Sequence, residues 1–167
     1  ERFVQGDIDY GGRITLIWGN PEASKQDTRF VEEDLNRVYS NLDSNSLEGR
    51  RAKEIAPVIQ SSNLFIDFHQ TIEPTLCPFY IFRYAETSFQ LAQAIGGVTE
   101  LVTKDPLPPG GPNTLTQNEY ATTLGVPSVT LELGPKGYNA SSAKLCLKSL
   151  DRFTSISQQL LLNRKTL

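Results

Sequence analysis

Residues 64–71 read Leu-Phe-Ile-Asp-Phe-His-Gln-Thr, a short apolar run that gives way to a polar loop and contains the chain's only histidine. The pattern predicts a buried strand over residues 63–69. Side chains at positions i and i+2 of a strand face the same side, so we expect Asp67 and His69 to project together. A carboxylate beside an imidazole orients it for catalysis or for metal binding. The alternative is a histidine that only makes hydrogen bonds in the core or at the strand end.

A second acid stands near the end of a downstream β-rich run. Glu132 lies within residues 128–133, and Gly134-Pro135 closes the run. Strand ends in an open α/β sheet line the ligand crevice, where a carboxylate can act as a general base. A glutamate that faces water from an edge strand is the alternative.

Predicted strands alternate with predicted helices around these two runs. Strands are expected over residues 13–18, 63–69, 79–82, 98–103 and 128–133, and helices over 46–59, 85–95, 115–124 and 141–162. This alternation is typical of an α/β fold, in which helices pack on a sheet. No internal repeat or domain boundary interrupts it, so we expect one α/β domain over residues 1–167.

Residues 20–46 are polar, dense in charge and weakly periodic, which predicts a long loop with about one helical turn. Long loops inside compact domains are usually functional. This one contains Arg29, Asn36 and Arg37, and a guanidinium beside an amide is suited to gripping a carboxylate. The alternative is a solvated loop whose arginines pair with the neighbouring acids.

Composition excludes several classes of function. The net charge is −3, which gives no electrostatic reason to expect nucleic acid or an anionic membrane as a partner. No apolar run approaches the roughly 20 residues that cross a bilayer, and no signal peptide opens the chain. Two cysteines, Cys77 and Cys146, make no disulfide framework, so we expect a cytoplasmic protein. The chain lacks methionine and opens at Glu1, so an internal piece of a longer protein is expected.

Taken together, the motifs resemble those of the succinylglutamate desuccinylase/aspartoacylase family, in order and in approximate spacing. The resemblance covers residues 13–136, and Asp-Leu-Asn-Arg is its most specific part. The matching motifs are Asn20-Pro21-Glu22-Ala23, Thr28-Arg29-Phe30, Asp34-Leu35-Asn36-Arg37, Asp67-Phe68-His69 and Thr130-Leu131-Glu132-Leu133-Gly134-Pro135. The resemblance implies a zinc carboxypeptidase-like core, with a mixed, mostly parallel sheet flanked by helices.

The resemblance also implies roles for individual residues. His69 matches a ligand to a single zinc ion, with Asp67 behind it. Arg29 matches the arginine that polarises the scissile carbonyl and stabilises its oxyanion, and Asn36 and Arg37 match the pair that binds the substrate carboxylate. Glu132 matches the glutamate that takes a proton from the zinc-bound water and passes it to the leaving amine.

The chain departs from the family pattern in three places. The family's other two zinc ligands lie in a His-x-x-Glu motif, whereas residues 1–19 contain no histidine and only the acids Glu1, Asp7 and Asp9. We therefore expect two further ligands upstream of Glu1. We also expect the chain to be a core fragment that lacks the family's smaller C-terminal β domain. Aspartoacylases carry an arginine shortly before the catalytic glutamate, and residues 120–129 have none, which disfavours acetylaspartate as the substrate.

The expected function is zinc-dependent hydrolysis of the amide bond in a small N-acyl amino acid by the full-length protein. The 167-residue chain alone is expected to bind zinc weakly and to be inactive, because it holds one ligand of three. A carboxypeptidase or peptidoglycan amidase of the same fold is one alternative. A non-catalytic α/β binding module is another, and the sequence predicts no oligomeric state.

Overall fold

The computed structural model describes residues 13–105 and 114–164, with side chains as far as residue 156. These ranges contain four strands and five helices. The strands are β1 Phe65–Thr71, β2 Phe79–Arg83, β3 Glu100–Lys104 and β4 Ser128–Pro135. The helices are α1 Pro21–Lys25, α2 Leu47–Gln60, α3 Glu86–Ile95, α4 Gln117–Thr123 and α5 Ala140–Arg164, and a 3₁₀ turn covers Leu35–Arg37. Among the described helices, none is long and apolar enough to cross a membrane.

The four strands form one sheet in the order β1-β4-β2-β3. The pairs β1–β4 and β2–β3 are parallel, and the central pair β2–β4 is antiparallel. The predicted α/β fold, with a mixed and mostly parallel sheet flanked by helices, is therefore confirmed. Strand β4 lies inside the sheet, and in the β1–β4 register His69 stands opposite Glu132.

Two apolar clusters hold the helices around the sheet. The first joins α2, α4 and the 3₁₀ turn, and the second joins α3 to β2 and β4, with partly buried residues of α5 against it. The first consists of Leu35, Val38, Tyr39, Ala52, Ile55, Ala56, Ile59, Ala121 and Val126. The second consists of Tyr80, Phe82, Leu91, Ala92, Ile95, Val129 and Leu131. Burial of this surface is the main force that holds the helices against the sheet.

The first turn of α2 packs closely against the preceding chain. Ser46 is the N-cap, and its hydroxyl accepts a hydrogen bond from the Gly49 amide. A Cβ at Gly49 would lie 2.5 Å from the Ser44 carbonyl oxygen, so only glycine permits this approach. The polar stretch before it is mostly irregular, as predicted, but it contains two short helical parts, α1 and the 3₁₀ turn, where about one turn was predicted.

The predicted strand over residues 13–18 is wrong. These residues are irregular, and Leu16 and Trp18 are 67% and 64% exposed. A strand needs a hydrogen-bonded neighbour, and within the described ranges β1 pairs only with β4. Residues 13–17 line a cavity of about 950 Å³ whose other wall includes β1, so the two segments lie apart. An apolar, β-rich sequence alone therefore did not produce a strand.

Candidate active site

Three of the candidate residues lie on two neighbouring strands. His69 Nε2 is 2.9 Å from Asp67 Oδ2, and His69 Nδ1 is 3.9 Å from Glu132 Oε1. Asp67 and His69 share a face of β1, and the parallel register brings Glu132 of β4 beside them. With Nε2 directed at Asp67, the Nδ1 atom is the end of the imidazole that faces Glu132.

The two carboxylates surround His69 with negative charge. Burial lowers the pKa of His69, but the charges of Asp67 and Glu132 outweigh it, so the pKa is raised. Burial also raises the pKa of Glu132, and Asp67 raises it further against the opposing effects of His69 and Arg29. A glutamate with a raised pKa is suited to accepting and returning a proton.

One oxygen in this group, Glu132 Oε2, is buried without a hydrogen-bond partner among the described residues. Asp67 Oδ2 is also buried, and its close contact is His69 Nε2 at 2.9 Å. A buried carboxylate oxygen without a donor costs free energy unless a cation or a ligand compensates it. The arrangement therefore favours a positively charged or hydrogen-donating group between these strands.

The other three candidates lie on the loop between α1 and α2. Arg29 donates from Nε and Nη2 to Asp34 Oδ2, at 3.0 and 2.8 Å. Asn36 Oδ1 accepts a hydrogen bond of 2.8 Å from the Gln117 amide, so Nδ2 is the end of the amide that can donate to a ligand. Arg37 donates from Nη1 to the Asn36 carbonyl oxygen, at 2.7 Å. Both arginines are thus directed by contacts within their own loop.

One cavity of about 300 Å³ brings the strand and loop residues together. Five of the six candidates line it, namely Arg29, Asn36, Arg37, His69 and Glu132. The sixth, Asp67, lines the larger cavity next to it, together with Arg29, Asn36 and His69. Residues that are far apart in sequence thus line one cavity with imidazole, carboxylate and guanidinium groups.

Sequence reasoning missed a charged group on the cavity wall. Arg83 and Lys104 end β2 and β3 opposite each other, and Arg83 Nε and Lys104 Nζ lie 2.9 and 3.3 Å from Glu119 Oε1. All three residues line the same cavity. Burial raises the pKa of Glu119, but the Thr116 amide and the two cations lower it more. The signal in the sequence was Thr116-x-x-Glu119, a helix-capping pattern.

The described residues fit one ligand of a zinc site and not a complete site. Within residues 13–105 and 114–164 no group of three or more metal-ligating side chains comes together. His69 has the Asp67 carboxylate beside Nε2, which leaves Nδ1 as the nitrogen that could bind a metal. Glu1, Asp7 and Asp9 of the first segment lie outside the described residues.

A buried glutamate next to the loop was also missed. Glu48 in the first turn of α2 is fully buried and accepts hydrogen bonds from the loop that contains Arg29. No pattern in the sequence distinguishes it from an ordinary acidic residue at a helix N-terminus, because its donors are backbone amides.

The fold and parts of the sequence are similar to known proteins. The model of the succinylglutamate desuccinylase/aspartoacylase catalytic domain matches residues 2–163. A succinylglutamate desuccinylase of Pseudomonas fluorescens is 30% identical over 154 residues, which cover 82% of this chain and 45% of the relative. An N-acyl-aromatic-L-amino acid amidohydrolase (carboxylate-forming) of Xenopus tropicalis is 29% identical over 149 residues, which cover 77% of this chain and 45% of the relative.

A solved structure has the same fold. The succinylglutamate desuccinylase from Chromobacterium violaceum superposes with a TM-score of 0.71 at 19% identity, over 92% of this chain and 55% of that one. The expected zinc carboxypeptidase-like fold is confirmed by this likeness. The chain spans about half the length of the relatives that it matches.

Proposed function

Because the chain belongs to the succinylglutamate desuccinylase/aspartoacylase catalytic-domain family, we propose that the full-length protein hydrolyses the amide bond of a small N-acyl amino acid. One relative at 30% identity is named a succinylglutamate desuccinylase and another at 29% an N-acyl-aromatic-L-amino acid amidohydrolase, which supports the reaction class. The single observation that carries the proposal is the cavity of about 300 Å³, in which a base, a histidine and two arginines face one another. Residues 1–167 then form a single catalytic-domain fragment of that enzyme, with a cytoplasmic location.

The loop residues bind and polarise the substrate. Asn36 and Arg37 bind its carboxylate, since an amide N–H and a guanidinium together match two carboxylate oxygens. Arg29 faces the scissile carbonyl and stabilises the charge that grows on its oxygen as the bond breaks. Asp34 holds the Arg29 guanidinium through two hydrogen bonds, so little reorganisation is needed during the reaction.

The strand residues handle the proton. Glu132 takes a proton from the attacking water and returns it to the leaving amine, which its raised pKa favours. His69 is the zinc ligand of this chain, and Asp67 orients it through Nε2. Zinc, when bound, acts as a Lewis acid and lowers the pKa of water. The remaining two ligands of a three-ligand site would come from outside the described residues.

The test is hydrolysis by the full-length protein. Purified enzyme with zinc is assayed on N-succinyl, N-acetyl and N-aromatic-acyl amino acids, and in parallel on dipeptides and on peptidoglycan stem peptides. Release of free amino acid from the N-acyl compounds is expected. Faster cleavage of the peptides would replace the proposal by a carboxypeptidase or amidase of the same fold. No turnover of either class would favour a binding module.

A second experiment addresses the fragment itself. The 167-residue chain is titrated with zinc by calorimetry, and weak binding without turnover is expected, since the described residues supply one ligand. His69→Ala should abolish what binding there is. Tight 1:1 binding by the fragment at neutral pH would contradict the one-ligand interpretation.

A further inference from the structure

The carboxylate of Glu48 is bound by the loop that contains Arg29. Glu48 Oε1 accepts hydrogen bonds from the Val31 amide at 2.7 Å and from Asn20 Nδ2 at 3.0 Å. Its Oε2 accepts from the amides of Glu32 and Glu33, both at 3.2 Å. Three successive backbone amides of an irregular segment therefore converge on one side chain, which itself is fully buried.

These four donors are all neutral amide groups. Burial raises the pKa of Glu48, but the hydrogen bonds from Val31, Asn20, Glu33 and Glu32 lower it more. The ionised carboxylate is thus compensated by oriented dipoles at the positive end of α2, and not by a cation. Loss of its second oxygen would leave the Glu32 and Glu33 amides without this acceptor, and loss of its charge would weaken all four hydrogen bonds.

Hydrogen bonds run in both directions between residues 31–33 and the start of α2. The side chain of Glu32 accepts a hydrogen bond from the Leu47 amide, at the start of α2. The side chain of Glu33 accepts hydrogen bonds from the hydroxyls of Ser44 and Ser46. Residues 31–33 therefore have one fixed position relative to α2, and α2 is anchored in turn by its apolar face in the first core cluster.

The cavity residues lie directly on either side of this anchored segment. Arg29 precedes Val31 by two residues, and Asp34 follows Glu33 and accepts both hydrogen bonds from Arg29. Asp34 Oδ1 also accepts a hydrogen bond of 2.9 Å from the Asn36 amide. The loop side of the site thus depends on a chain of contacts from Glu48 through residues 31–33 to Asp34.

We propose that Glu48 is a positioning residue, which touches no substrate and sets the place of Arg29 in the cavity through the amides of residues 31–33. The assignment rests on the proposed function for its effect on catalysis, while the anchoring of the loop is a property of the chain itself. A residue that only stabilises the fold would affect activity without acting through Arg29. The experiment distinguishes this role from the positioning of Arg29.

The experiment compares Glu48→Gln with two matched variants of the full-length protein. Glu48→Gln keeps the shape and loses the charge, and we expect kcat/KM on an N-acyl amino acid to fall at least tenfold, mainly through kcat. Glu54→Gln, on an exposed part of the same helix, should leave kcat/KM within twofold. Asn20→Ser retains an N-cap oxygen for α1 but removes one donor to Glu48, and should give a smaller loss.

A double-mutant cycle tests whether Glu48 acts through Arg29. In an Arg29→Ala background, Glu48→Gln should lower kcat/KM by less than threefold, because the group that it positions is gone. If the losses in kcat/KM of the two single variants multiply in the double variant, the proposal is wrong and Glu48 only stabilises the fold. If Glu48→Gln does not fold, the same cycle with Asn20→Ser decides the question by the same criterion.

Hydrogen exchange tests whether Glu48 holds the loop in place, without any measurement of activity. In Glu48→Gln, a peptide spanning residues 28–35 should exchange at least tenfold faster, while peptides from β4 keep the wild-type rate. Arg29 should also react faster with phenylglyoxal, read on the same peptide by mass spectrometry. Unchanged exchange and reactivity would overturn the proposal. If the wild-type protein hydrolyses no N-acyl amino acid, the proposed function is wrong. Hydrogen exchange and phenylglyoxal reactivity then still test whether Glu48 anchors residues 31–33.

Discussion

The two halves of the candidate site are held by different means. Asp67, His69 and Glu132 lie on paired strands, where the backbone ladder sets their separation. Arg29 and Asn36 lie in an irregular loop that is held by side-chain carboxylates, Glu48 and Asp34. A ladder tolerates many side-chain changes, whereas the loop depends on a few ionised oxygens. The comparison indicates that one substitution away from the cavity can move the loop half and leave the strand half in place.

The largest effect on catalysis is expected from a substitution in the strand half of the site. Glu132→Gln in the full-length enzyme should lower kcat by about 10²–10⁴-fold with a small change in KM, because it removes the general base and keeps the shape of the side chain. Steady-state kinetics on the best N-acyl amino acid measure it. Glu100→Gln on exposed β3 is the control and should keep wild-type kcat. A kcat within fivefold of wild type would exclude Glu132 as the base.

The next largest effect is expected from removal of Arg29, the residue of the loop that faces the cavity. Arg29→Ala should lower kcat by about 10²–10³-fold, which is the usual cost of losing one donor to a developing oxyanion. Backbone exchange rates in β1 and β4 should not change, since the ladder does not depend on the loop. Arg50→Ala, an exposed arginine of α2, is the matched control. A loss confined to KM would assign Arg29 to ground-state binding.

A smaller effect concerns acid stability and compares the buried Glu48 with the exposed Glu54 of the same helix. The pKa of Glu48 is lowered in the folded state, so its stabilisation is present above the ordinary glutamate pKa of about 4.3 and is lost as the pH falls through the folded-state pKa. Glu48→Gln should therefore reduce the free energy of unfolding at pH 7 by about 1–3 kcal/mol, and by less near pH 3. Urea unfolding of both proteins at the two pH values measures the difference.

The control in that comparison is Glu54→Gln, an exposed residue that should change neither value. A Glu48→Gln deficit that is equal at pH 7 and near pH 3 would mean that the lost charge is not the cause.

The smallest effect is expected at the exposed end of the loop half. Arg37→Ala should raise KM about three- to tenfold and leave kcat within twofold, because an exposed guanidinium contributes a modest charge-assisted hydrogen bond to a substrate carboxylate. Arg37→Lys should recover part of the affinity, since the charge returns without the planar fork. The discriminating measurement is KM for an N-acyl amino acid against KM for its amide, and equal effects on both would remove Arg37 from carboxylate binding.

Short sequence patterns predicted those features of the structure that depend on residues close together in the chain. The i, i+2 spacing of Asp67 and His69 and the alternation of strands and helices follow from the period of a strand and from chain order. The motif Asp-Leu-Asn-Arg indicated the loop residues through a family resemblance, not through their chemistry alone. The same kind of local reasoning failed for residues 13–18, where a strand-like composition had no hydrogen-bonded neighbour within the described ranges.

What the sequence determined by itself is therefore the identity and local grouping of the reactive side chains, since neighbouring residues on a strand or in a turn cannot separate. Three relations were decided only by the tertiary structure. They are the register of His69 against Glu132, the Arg83–Glu119–Lys104 group on the cavity wall, and the four amides on Glu48. Each joins segments that are distant in sequence, and their contact depends on the burial of the helices against the sheet, which no short pattern encodes.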